Sequence, residues 1–234
     1  MNKNLDFETY LLVSPQKYLI SIEKKINFEN IFRKEKTFEK KIDKFSLDEL
    51  NNFLNQNIYN AEKDLNNFIK EINLILDCND FFHIQLSLKM NNHGELLTNK
   101  NLDHLLNEAK NQCRNTFIDK KIIHVIVDNY LVDNKSYDFM PQKLNCNFFS
   151  IDVSFICLSN NFIKPIEDVV KKYQISINKI ISLKYMKELF FNEDLNVIKM
   201  AKDIIDGHNQ NEVVLIAKKS KNIGFFEKFF HFFS

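Results

Sequence analysis

His124-Val125-Ile126-Val127-Asp128-Asn129-Tyr130-Leu131-Val132-Asp133 is the stretch on which the fold turns. With Ile122 and Ile123 ahead of it, it predicts a strongly apolar strand over Ile122–Val132, because β-branched and aromatic side chains pack well on a pleated surface. A second strand is predicted over Cys146–Leu158, where Phe149, Ile151, Val153 and Phe155 recur at every second position, the period of a strand with a buried face. The connection Asp133–Asn145 suits a hairpin with a long loop and is too short for a helical crossover, so the two strands should be antiparallel neighbours. Asp128, Asp133 and Asp138 lie close together in a turn-rich stretch and read as a solvated loop rather than a carboxylate site.

Working upstream, Asn101–Cys113 has helical spacing, with Leu102, Leu105, Leu106 and Ala109 on one side. Asn91-Asn92-His93-Gly94 is a turn, and Phe82, Ile84, Leu86 and Leu88 alternate with polar residues in a half-buried strand over Phe81–Leu88. Ser46–Leu76 predicts one long helix with a break near Asn57. Ser46 and Glu49 suit a capping box, and an apolar stripe runs from Leu47 through Phe53, Ile58, Leu65 and Ile69 to Ile75. Tyr10–Val13 and Tyr18–Glu23 read as strands about a turn at Ser14–Lys17, and the charged Asn30–Phe38 suits an edge strand.

Downstream, Pro165 should open a helix at its first turn, burying Ile166, Val169, Val170 and Tyr173. A strand at Ile175–Leu183 follows. Helices are expected at Lys184–Phe191 and Asp194–Ile205, the second closed by Gly207, then a short apolar segment at Glu212–Lys218. The class is α/β (α+β); the middle of the chain reads strand, helix, strand, strand, helix, for which a sheet with helices on one face is the economical packing.

The chain of 234 residues is 44% hydrophobic and 27% charged with a formal net charge of +1, which excludes general disorder and a dedicated basic nucleic-acid binder. Phosphate-loop, dinucleotide, nucleophile-elbow and zincin motifs are missing, and three glycines are too few for a backbone phosphate cradle. The six histidines show no ligand spacing, and Cys78, Cys113, Cys146 and Cys157 form no C-x-x-C pair, so neither metal nor cofactor is expected and the thiols should be free. The polar, charged start suggests no signal peptide, and no apolar run approaches the roughly 20 residues that cross a bilayer. Any membrane attachment should therefore be peripheral, from the cytoplasm onto the inner face of the plasma membrane.

The segment that could provide it is Gly224–Ser234. On a helix, Phe225, Phe226, Phe229, Phe230, Phe232 and Phe233 fill one continuous face, while Glu227, Lys228, His231 and Ser234 fill the other. A helix this short is marginal alone in water and needs a surface that buries its aromatic face. Lys221 and Lys228 add attraction to an anionic leaflet, and the pattern is that of an in-plane membrane-targeting helix. The polar stretch before it, from Lys218 to Asn222, reads as a tether.

Residues Leu102–Leu183 resemble the inserted SHS2 (1C) subdomain of the bacterial cell-division protein FtsA. That family carries a strand of the form H-x-I-P-x-x-Y-x-[VL]-D, matched here by His124, Ile126, Tyr130, Val132 and Asp133, with Val127 in place of the proline. Leu105–Lys110 resembles the preceding helix. Val153–Leu158, Ile163–Tyr173 and Ile175–Leu183 follow the family's order of strand, helix and return, with Gln174 where the family has glycine. The N-terminal part resembles a reduced actin-like subdomain in which Val13-Ser14-Pro15-Gln16 replaces the family's Asp-x-Gly phosphate loop. The family's second phosphate loop and second domain have no counterpart.

The resemblance implies a reduced actin-like (1A-like) part over 1–90 and an SHS2-like subdomain over 91–174. A return to the first part over 175–207, a linker over 208–223 and the amphipathic helix over 224–234 complete the division. It also implies a non-catalytic scaffold in cell division. The chain would contact other division proteins, and further copies of itself, through the inserted subdomain, and would dock on inner-membrane lipid by its C-terminal helix. ATP binding does not carry over, and the family's main FtsZ-binding surface lies in the missing domain, which puts an FtsZ contact in doubt. Two alternatives are a cytoplasmic actin-like component of a pilus or type II secretion platform, and a small-molecule-binding domain.

Overall fold

A computed structural model of the chain describes residues 6–39, 45–191 and 196–213. The N-terminal strands β1 (Phe7–Val13) and β2 (Lys17–Lys24) form the expected antiparallel pair, and the charged β3 (Asn30–Thr37) lies beyond β2 at the sheet edge. Helix α1 (Leu47–Leu65) follows. The Ser46 hydroxyl accepts the Glu49 N–H at 3.3 Å, one half of the expected capping box. The other half is supplied by Tyr18, whose hydroxyl accepts the Ser46 N–H at 3.0 Å, because the Glu49 carboxylate pairs with Lys36 instead.

Helix α1 is shorter than the single helix expected to Leu76. Asn66 takes the left-handed conformation (φ 50°) and caps α1, and Glu71–Leu76 is a strand, β4. β4 lies between β1 and the strand β9 (Ser176–Ser182), parallel to both. A strand buried on both faces reads as a continuous apolar run, and Ile72-Asn73-Leu74-Ile75-Leu76 matched a helical stripe by spacing alone.

The first sheet has the order β3-β2-β1-β4-β9. Its helices lie on both faces. Leu11, Val13, Ile20 and Leu74 pack against α1 and α3 (Asn160–Lys171), while Tyr10, Leu12, Leu19 and Ile75 pack against α4 (Leu183–Leu189) and α5 (Val197–Ile205). Pro165 is the sixth residue of α3, not in its first turn. The helix begins directly after β8, where the Asn160 N–H bonds the Asp119 carbonyl at 2.8 Å. Its apolar face spans the proline through Ile163, Ile166, Val169 and Val170 and offsets the backbone bond that proline removes.

The second sheet has the order β5-β8-β6-β7, from β5 (Phe82–Asn91), β6 (Lys120–Val132), β7 (Lys135–Tyr137) and β8 (Phe148–Ser159). β6 and β8 are antiparallel neighbours, as the hairpin argument requires. β5, placed by sequence with the first 90 residues, pairs with β8 along its whole length and so belongs to this second sheet. Helix α2 (Asn99–Thr116) covers one face, burying Leu105, Leu106 and Ala109 against Phe149, Ile151, Val153 and Phe155. The opposite face carries Gln85, Ser87, Asp152 and Ser154.

Candidate functional site

The 124–133 stretch begins at the junction of the two sheets. His124 is 3% exposed. Its Nε2 accepts the backbone N–H of Ser182 at 3.1 Å, so that nitrogen carries no proton. The proton therefore sits on Nδ1, which donates to Glu212 Oε1 at 2.7 Å. The second Glu212 oxygen accepts the Tyr185 hydroxyl at 2.8 Å, and Asn209 Nδ2 donates to that hydroxyl at 3.0 Å. The Tyr185 ring rests on the imidazole with centroids 4.5 Å apart. Burial pushes the Tyr185 phenol above its ordinary range; the bond from Asn209 opposes this and the charge of Glu212 adds to it. Both imidazole nitrogens are occupied, so the arrangement joins β6, the start of α4 and the segment 209–213 rather than presenting a free base.

Residues 208–213, expected as the start of a linker, are docked. Asn211–Val213 lie along β6: the Val127 N–H donates to the Asn211 carbonyl at 2.9 Å and the Val213 N–H to the Val125 carbonyl at 2.8 Å. Val127 stands where the FtsA-like motif has proline, and a proline could not make the first of these bonds. Ile126 faces Glu212 in this pairing. Tyr130 is buried, its phenol raised by desolvation, with its hydroxyl donating to Asn211 Oδ1 at 3.4 Å. Asp133 (φ 46°) and Asn134 (φ 67°) make the turn from β6 to β7. The Asp133 carboxylate accepts the N–H groups of Asn147 at 3.0 Å and Phe148 at 2.8 Å, fixing the start of β8.

Asp128 belongs to β6 rather than to a loop, and it accepts the Ser154 hydroxyl on the open sheet face. The three aspartates do not converge. Among the described residues no three or more His, Cys, Asp or Glu side chains are grouped so as to hold a metal ion.

Beside the junction, a cleft of about 170 Å³ lies between β6 and β9, with Lys121, Ile123, Lys179, Ile181 and Val213 in its walls. A second cavity, of about 210 Å³, lies at the carboxyl ends of β1 and β4, the crevice where open α/β sheets bind ligands. Pro15, Phe45, Asp77, Cys78, Asn79, Asp80 and Phe162 line it. Its first turn is closed by Ser14, whose Oγ accepts the Lys17 N–H at 2.9 Å. Burial pushes the Cys78 thiol up to about 11; a backbone bond at Asp80 opposes this, and the charges of Asp80 and Asp77 add to it.

Sequence reasoning found His124, Ile126, Tyr130 and Asp133, which the fold brings onto one strand and its turn. It missed Ser182, Tyr185, Asn209 and Glu212, whose relation to His124 exists only across the sheet junction. Phe225, Phe226, Phe229, Phe230, Phe232, Phe233, Lys221 and Lys228 lie outside the described residues. No described helix is long and apolar enough to cross a membrane.

No protein-family model matches the chain, and no curated protein matches it. Solved structures similar to it include the cytoplasmic domain of EpsL, an inner membrane component of the type II secretion system of Vibrio cholerae. That match has 12% identity over 76% of this chain and 56% of that one, with a TM-score of 0.34. A protein of unknown function with an actin-like ATPase fold, from Bacteroides thetaiotaomicron, is similar at 12% identity over 81% and 56% of the two chains, TM-score 0.37. The PilM–PilN type IV pilus biogenesis complex is similar at 4% identity over 80% and 50%, TM-score 0.42. The chain spans about half the length of each of these structures.

Proposed function

We propose that this chain is a non-catalytic scaffold that attaches peripherally to the inner face of the plasma membrane and makes its protein contacts through the second sheet. The observation that carries the reading is the crevice at the carboxyl ends of β1 and β4. Among the described residues that line it there is no glycine, lysine or arginine, the residue types that cradle a phosphate. The Gly224–Ser234 pattern supports membrane attachment, and the 124–133 motif supports a role in cell division through its resemblance to FtsA.

Calorimetry with Mg-ATP should give no measurable heat of binding; micromolar affinity would defeat the non-catalytic reading. A fluorescent fusion imaged in dividing cells tests the setting. A midcell band is the expected result. Discrete envelope foci would favour the second reading, a cytoplasmic component of a secretion or pilus platform, and a diffuse signal would remove the membrane role altogether.

A further inference from the structure

The two sheets end in edge strands of opposite character. β3, one of the two edges of the first sheet, carries Arg33, Lys34, Glu35 and Lys36 in succession, and its pairing with β2 is interrupted by a bulge at Ile22/Glu23. Both devices discourage another strand from adding to that edge. β5, the longer of the two edge strands of the second sheet, has neither. It runs ten residues, Phe82-His-Ile-Gln-Leu-Ser-Leu-Lys-Met-Asn91, without proline and without a bulge against β8, and Lys89 is its one residue of fixed charge. Among the described residues no strand pairs with its outer side. Phe82 is 42% exposed, and Leu86 and Met90 are partly exposed along the same edge.

We infer that β5 is a self-association edge, and that its occupant is β5 of a second copy, joined antiparallel about a two-fold axis into one eight-stranded sheet. The β5 sequence is what selects a second copy. Residues directly opposite in an antiparallel pair share a sheet face, so the numbers of any two partners must sum to an even value. Centring the two-fold on Ser87 places Ile84 opposite Met90 and Leu86 opposite Leu88 on the helix-covered face. On the open face it places Gln85 opposite Lys89, His83 opposite Asn91 and Ser87 opposite itself. From Ile84 to Met90 every apolar residue meets an apolar one, Phe82 lies beyond the paired residues, and no two cations face each other. Centring on Leu86 would set Lys89 against His83, so the Ser87 register is the one preferred. The inference stands on the edge itself and is independent of the membrane and division roles.

The test is sedimentation velocity of the full chain over a concentration series, alone and as two charge variants at an exposed position. Wild type should show a concentration-dependent dimer. Gln85→Lys sets a cation opposite Lys89 of the second copy, and the dimer contains this pair twice. Like-charge cross-strand pairs cost up to about 1 kcal/mol each, so the dissociation constant should rise roughly tenfold. Gln85→Glu creates two opposite-charge pairs and should lower it. Both variants should keep the wild-type melting temperature, because Gln85 is exposed. Repeating the series with Phe226→Glu and Phe230→Glu together separates this contact from association through the tail, and the dimer should persist. A wild type that is monomeric up to its solubility limit overturns the proposal. So does a dimer that responds equally to Gln85→Lys and Gln85→Glu, or one that vanishes with the tail substitutions.

Discussion

The two sheets are held in different ways. The first is covered on both faces: Leu11, Val13, Ile20 and Leu74 on one side and Tyr10, Leu12, Leu19 and Ile75 on the other all have partners in helices. The second has one helix. Its other face is a polar surface where Ser87 donates to Asp152 at 2.6 Å and Asn129 to the same carboxylate at 3.3 Å. Burial therefore specifies the first sheet almost unaided. The second depends on a single apolar face, and a polar linkage through His124 and Glu212 helps to set its position against the first. Apolar contacts cross the junction as well: Ile156 of β8 packs with Ile181, Tyr185 and Ile198. Burial alone tolerates small shifts, whereas a buried hydrogen-bonded group accepts only one geometry.

The largest expected effect tests the one-sidedness of the second sheet. Phe149→Ala removes a fully buried ring from its helix-covered face and should destabilise the fold by about 3–5 kcal/mol. Gln85→Ala on the open face should stay within about 0.5 kcal/mol, as an exposed polar group exchanges its partners with water. Chemical denaturation of both variants measures the difference, and equal losses would mean that the open face is covered.

The next effect tests the junction. His124→Ala strands the Ser182 N–H and one oxygen of Glu212 and should cost about 2–4 kcal/mol. Glu212→Ala strands the His124 Nδ1–H and the Tyr185 O–H, to which Asn209 only donates, and should cost a similar amount. The two losses should fall short of additivity when combined, by about 1 kcal/mol or more. Strict additivity in this double-mutant cycle would show that the linkage does not act as a unit.

A smaller effect, of opposite sign, concerns the end of α3. Gln174 is held at φ 59°, a conformation that costs a residue with a Cβ roughly 1 kcal/mol. Gln174→Gly should raise stability by somewhat less than that, because glycine also loses more freedom on folding. A fall in melting temperature would show that the Gln174 side chain contributes more than its backbone costs.

Much of the fold was legible in the sequence because alternation is a local signal. β6 and β8 follow from Ile122–Val132 and from Phe149, Ile151, Val153 and Phe155, and the charges of Asn30–Phe38 place β3 at an edge. β4 was not legible: Ile72 and Ile75 continue the helical spacing of α1, and only the left-handed Asn66 breaks it. Asparagine tolerates both conformations, so nothing in that letter announces a stop. The motif residues were visible, but their work was not. His124 reads as an isolated histidine until Glu212, 88 residues away, is brought beneath it. The dock at 211–213 was hidden because Asn-Gln-Asn-Glu reads as solvated chain, and what holds it is backbone bonding to β6, which leaves no compositional mark.

The central claim, a scaffold attached to a membrane by its end, is tested most directly by co-sedimentation with vesicles containing anionic lipid. Three chains are compared: wild type, the Phe226→Glu/Phe230→Glu double variant, and a chain ending at Asn222. Two charges in the middle of the aromatic face oppose its desolvation, so wild type should pellet with the vesicles while both altered chains stay in the supernatant at an unchanged melting temperature. Added salt should weaken wild-type binding only in part, because screening removes the lysine attraction and leaves the aromatic one. Equal pelleting of all three chains, or unfolding of the body by the double variant, would contradict the account.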